Sequence, residues 1–166
     1  MAAKSPILKK DQTISRSIEV RKTILTEAEK LSEAQRDVVF LGIWSMKDLL
    51  AHMIGWDHTN LAAAQSVLQG QVPAFYQYKD RDWRTYNAML VKQYRHDSFP
   101  ELVAALKKSQ EKLLQFLQTI PPEDFHRDFG ARFRGYKITI QRLIVANTED
   151  EQTHYEQMTS FFRGSE

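Results

Sequence analysis

The chain has 166 residues, 42% of them hydrophobic and 27% charged, which is enough for one good core and too little for two ordinary domains. Lys and Arg number 23 against 21 Asp and Glu, a net charge of +2, so no global basic field points to nucleic acid or to an anionic membrane surface. Cysteine is absent, which removes disulfide frameworks, Cys-ligated zinc, iron–sulfur clusters and thiol nucleophiles together.

Six Gly and five Pro favour long helices over a many-turned all-β fold, and no repeat or low-complexity tract interrupts the chain. Residues 1–12 carry Lys4, Lys9 and Lys10 without a signal peptide's apolar stretch, and read as a flexible N-terminal tail. A first helix is predicted from Ile14 to Gln35, with Ile14, Ile18, Ile24, Leu25, Ala28 and Leu31 on one face. The longest apolar run, Val38 to Trp44, falls far short of the ~20 residues a membrane span needs, so a cytoplasmic protein is the expectation. Ser45 and Asp48 form a capping box that opens a second helix, which Gly70 and Pro73 end. An accessory helix is predicted over Asp82 to His96. A third long helix is launched by Ser98, Pro100 and Glu101 and stopped by Pro121 and Pro122. Residues 123–138 read as mostly loop, after which Thr139 caps a last helix reaching about Phe162. The expected fold is an all-α, single-domain four-helix bundle over 1–166. One short accessory helix lies between the second and third long helices, and the longer connections permit one crossover.

The last helix breaks its own pattern. Ile140, Leu143, Ile144, Met158, Phe161 and Phe162 form its apolar stripe, yet Asn147, Glu151 and His154 occupy the middle of it, with Asp150 on the shoulder. Buried groups of this kind need partners, water or a metal. Asp150 and His154 stand four apart, one turn apart on one face, and His52 on the second helix is the candidate third ligand. Two imidazoles and a carboxylate with open positions suit a divalent ion such as zinc, nickel, iron or manganese, with either Asp150 or Glu151 as the carboxylate ligand. The same residues also fit a solvated i, i+4 ion pair or a metal-free hydrogen-bond network.

The run Trp44-Ser45-Met46-Lys47-Asp48-Leu49-Leu50-Ala51-His52-Met53-Ile54-Gly55-Trp56 resembles the second helix of the DinB/YfiT-like four-helix bundles, whose metal-binding members carry a His at the place of His52. Asn147 to Met158 resembles their last helix, where Asp150, His154 and Gln157 fall on the motif positions. The resemblance implies the ligand set His52, Asp150 and His154, although the first ligand of the last helix is usually His rather than Asp. Ile54-Gly55-Trp56, Trp83, Tyr94-Arg95, Pro122-Glu123-Asp124-Phe125 and Asn147-Thr148 look like the ClbS/DfsB branch, some of whose members lack the histidines.

Three functions follow as expectations. The first is a metal-dependent enzyme acting on a small molecule, a hydrolase or a transferase using a low-molecular-weight thiol, with Glu151 as catalytic base. The second is a metal-free binding or resistance protein whose aromatic pocket is lined by Trp44, Trp56, Trp83, Tyr86 and Asn147; Trp56, Trp83 and Asn147 are the ligand-binding candidates. The third is DNA contact through Arg127, Arg132, Arg134, Lys137 and Arg142 among Phe129, Phe133 and Tyr136, which Asp124, Asp128 and the small net charge disfavour. Homodimerisation is compatible with all three.

Overall fold

In the computed structural model, which describes residues 5–78 and 82–164, Ser5 caps the first helix and accepts a hydrogen bond from the Leu8 amide. Pro6 follows in the first turn, where its missing N–H costs nothing. This helix, α1 (Pro6–Lys30), begins well before the expected Ile14. The expected tail is therefore corrected: residues 6–12 are helical, and residues 1–4 lie outside the described residues. Lys10 shows why, because its buried ammonium donates to the Ile120 carbonyl at 2.5 Å and caps the C-terminus of another helix. The C-terminal boundary is corrected as well. Ser32 and Gln35 form a capping box that starts a separate turn, α2 (Glu33–Arg36), so the first helix stops at Lys30 instead of Gln35.

The second long helix, α3 (Met46–Leu68), has the expected Ser45–Asp48 capping box. Gly70 follows at φ +71°, where a Cβ would lie 2.7 Å from the Phe129 carbonyl oxygen. Next come a single turn, α4 (Ala74–Gln77), which the sequence pattern missed, and the accessory helix α5 (Trp83–Tyr94). Gly55 lets α5 approach α3 closely, since a Cβ there would meet Leu90 Cβ at 2.7 Å. The third long helix is α6 (Phe99–Thr119). In place of the expected loop come one turn, α7 (Pro122–His126), and a two-residue ribbon, β1 (Arg132–Phe133) paired antiparallel with β2 (Tyr136–Lys137). Its turn places Arg134 and Gly135 at φ 49° and 82°, as a tight hairpin requires. Thr139 caps the last helix, α8 (Ile140–Arg163).

Side-chain contacts fix the topology of the four long helices. Lys10 near the start of α1 meets the end of α6, while Glu29 near its end meets Lys107, so α1 and α6 are antiparallel. The end of α1 also meets the end of α8 through Glu27 and Arg163. Phe40, just before α3, packs on Phe162 at the end of α8, making α3 and α8 antiparallel. The bundle is thus up-down-down-up, and the single crossover is the α3-to-α6 connection carrying α4 and α5.

Two apolar clusters fill the bundle. One holds Ile24, Leu50, Met53, Leu106 and Met158; the other holds Ile14, Ala64, Leu117, Ile140 and Ile144. Among the buried polar residues, Arg21, Asp57, Ser109 and Glu151, one from each long helix, are joined by hydrogen bonds. Ile18, expected on the apolar face of α1, is 42% exposed, and Arg21 points inward in its stead.

Candidate functional site

The buried layer is a closed network. Both oxygens of Asp57 accept from Arg21 at 2.9 and 3.0 Å, and Arg21 donates on its other side to both oxygens of Glu151 at 2.5 and 2.9 Å. Ser109 Oγ donates to Asp57, and Asn147 Nδ2 donates to Glu151. Burial works against a charged guanidinium, but Glu151 and Asp57 outweigh it and hold the Arg21 pKa above its ordinary value. Glu151, the residue expected as catalytic base, lies in this network. Its oxygens are committed to Arg21 and Asn147, and it serves as the counterion of a buried cation.

A fraction of a turn around α8, a second cluster faces α3. His52 Nε2 lies 3.5 Å from Asp150 Oδ2, and His154 Nε2 lies 3.3 Å from the same oxygen. One donor atom from each of the three residues falls within 4.8 Å of the other two, and among the described residues this is the one such group of His and carboxylate side chains. Ligands about 2.1 Å from a tetrahedral ion stand about 3.4 Å apart, close to both separations from Asp150. The donor set, two borderline imidazoles and one hard carboxylate, fits a divalent first-row metal.

Surroundings prepare the three groups differently. His154 Nδ1 lies 2.9 Å from Gln157 Oε1, a contact that orients the ring and turns Nε2 toward Asp150. Burial tends to lower the His154 pKa, but Asp150 and Gln157 outweigh it and raise it. His52 is 3% exposed, and burial lowers its pKa despite Asp150, favouring the neutral ring that ligates metals. Its ring packs 4.7 Å from Trp44, and its Nδ1 has no hydrogen-bond partner among the described residues. Asp150 is half exposed; burial raises its pKa, yet the two imidazoles pull it well below the usual carboxylate range.

Asp150 also opens onto a cavity of about 360 Å³ between α3, α4, α5 and α8. Trp56, Trp83 and Asn147 line it, joined by Phe75, Asn60 and Asn87, which sequence reasoning missed. Of the five side chains expected to line a pocket, two are placed elsewhere. Trp44 covers His52, and Tyr86 packs on Trp56 and hydrogen-bonds Thr59. Asn60 is 2% exposed, and its buried Nδ2 has no partner among the described residues.

Three cations of the basic patch are paired with its own aspartates. Arg127 pairs with Asp124, Arg132 and Lys137 pair with Asp128, and Arg142 donates to the Lys137 carbonyl. Hydrogen bonds from Arg132 hold the Asp128 pKa well below the usual range. No helix among the described residues is long and apolar enough to cross a membrane.

Comparison with known proteins agrees with this architecture. The family model described as the DinB superfamily matches residues 18–158. No curated protein matches the sequence. Among solved structures, the crystal structure of an uncharacterised protein from Escherichia coli UTI89 superposes with a TM-score of 0.72 at 14% identity, covering 94% of each chain. That similarity speaks for the fold alone.

Proposed function

The chain belongs to the DinB superfamily, and from that premise we propose that His52, Asp150 and His154 hold a divalent metal ion at the mouth of a small-molecule pocket. The observation that carries the reading is Asp150, which belongs at once to the donor trio and to the wall of the cavity. An ion there would supply Lewis acidity, polarising a water or a cosubstrate thiol and lowering its pKa. The chain's own residues do the rest. Gln157 orients His154, Trp44 shields His52, and the aromatic walls exclude water from a substrate held beside Asp150. Since the chain has no cysteine, a thiol would arrive from outside, and the reaction we propose is that of a hydrolase or a thiol-dependent transferase acting on a small molecule.

Cobalt(II) titrated into metal-free protein tests this. Saturable visible d–d bands at one equivalent are expected, absent in His52→Ala and shifted by 2-mercaptoethanol. No bands, or identical bands in the variant, would overturn it. A second reading, a metal-free binding protein similar to the ClbS/DfsB branch, is favoured by one observation: the Asp150 carboxylate already lies within 3.5 Å of both imidazoles and can satisfy them without an ion.

A further inference from the structure

Along α8 the wall of the cavity changes character. Leu143, Ala146 and Asp150 follow one another at steps of three and four residues and all line it, so they form one stripe running about 10 Å from an apolar end to a carboxylate. The elements on the other side, α3, α4 and α5, supply Trp56, Phe75, Tyr76 and Trp83. These four rings meet one another tilted or edge-on, with Trp56 5.3 Å from Phe75 at 83° and 6.0 Å from Trp83 at 48°, so they do not close their faces in parallel stacks. Trp56, Tyr76 and Trp83 are only half-buried, and covering their remaining area with an apolar ligand is favourable. Asn87 holds the Trp56 indole in place, because its Oδ1 accepts from Trp56 Nε1 at 2.9 Å.

Trp56 also joins the cavity to the donor trio. Its ring centroid lies 6.4 Å from that of His52, one turn earlier on α3, and Asp150 belongs to both the trio and the cavity wall. A ligand lying on Trp56 therefore has its Asp150 end beside the trio. The length of the α8 stripe admits a small fused ring system plus one functional group. The volume of about 360 Å³, at the small end of the ~300–1,000 Å³ typical of ligand pockets, suits a body of that size. Aromatic ligands gain more on such a wall than saturated ones of equal area, because ring pairs attract beyond the area they bury. We propose that the cavity takes a compact flat aromatic compound, its rings held between Trp56 and Trp83 on one side and Leu143 and Ala146 on the other, with an oxygen or sulfur donor at its Asp150 end. The donor end can be anionic or neutral, since open positions on a divalent ion accept carboxylate, thiolate or carbonyl ligands alike. This names the substrate class of the function proposed above and rests on that function for the donor end alone.

Calorimetric titrations test the two ends separately. Metal-free protein should bind 2-naphthylmethanol at least about fivefold more tightly than its saturated counterpart, decahydro-2-naphthylmethanol. Ala146→Phe sets a ring at an exposed position of the lining, and Trp83→Leu thins the aromatic wall; each should lower the affinity for 2-naphthylmethanol about tenfold. Thermal unfolding shows that both variants are folded. Zinc-loaded protein should bind 2-naphthoate at least about tenfold more tightly than acetate, which offers the same carboxylate without the rings. No binding of 2-naphthylmethanol up to its solubility, equal affinity for the saturated alcohol, full affinity in both folded variants, or 2-naphthoate held no more tightly than acetate would overturn the proposal. The metal reading fails on a different result, the absence of zinc binding in the wild type, and the alcohol titrations then still decide the ring site.

Discussion

Two polar clusters share α8 a fraction of a turn apart, and they differ in what each leaves over. In the layer of Arg21, Asp57, Ser109 and Glu151 the charges are buried and matched, with two carboxylates gripping one guanidinium and a hydroxyl and an amide closing the edges. In the trio of His52, Asp150 and His154, one carboxylate is half exposed, one imidazole nitrogen is buried without a partner among the described residues, and a cavity adjoins. The comparison teaches that a broken apolar stripe does not itself mark a site. A polar group that is satisfied within the fold acts as structure, whereas spare ligand atoms beside open space are available for chemistry.

Breaking the closed layer should have the largest effect on folding. Arg21→Met leaves Asp57 and Glu151 buried without their cation and is expected to cost about 3–5 kcal/mol in urea unfolding. A loss below about 1 kcal/mol would place Arg21 outside the stabilising core. Breaking the open trio should do the reverse. Asp150→Ala should abolish metal binding measured by equilibrium dialysis while changing stability by about 1 kcal/mol or less, since its carboxylate is half exposed. Gln157→Ala should weaken metal affinity by about 10- to 100-fold by freeing the His154 ring, without removing a ligand.

The smallest effect sharpens the comparison through pH. In metal-free protein the His154 pKa is raised and the Asp150 pKa is lowered. Stability from the raised histidine is fully present below its unfolded value of about 6.5 and is lost as pH rises through its folded value. Stability from the lowered carboxylate is present above about 3.9 and is lost as pH falls through its folded value. A double-mutant cycle on the pair should therefore show a coupling of up to about 1 kcal/mol at pH 5.5 that shrinks by pH 8.5. Coupling that grows with pH would contradict the geometry.

Much of this was legible in the sequence. Ser45, Asp48, Gly70, Ser98 and Thr139 set helix boundaries through local chemistry, and local chemistry needs no tertiary context. The trio was legible because a four-residue spacing on one helix restricts where a third ligand can come from. The ion pair of Glu151 was not legible, for the opposite reason. Its partner Arg21 lies 130 residues away, and only the packed bundle brings them together. Yet a signal existed: Arg21 follows Ile14 by two turns and precedes Ile24 by three residues, so it occupies the buried stripe where Ile18 was expected. Asp57 likewise follows Met53 by one turn. Asn60 and Asn87 were out of reach, because the cavity they line forms only where Gly55 lets α5 close on α3.

The most direct measurement is elemental analysis of protein purified without an affinity tag, wild type beside His154→Ala. The account predicts close to one divalent metal per chain in the wild type and its loss in the folded variant. No metal in either protein, or metal retained undiminished in the variant, would contradict it.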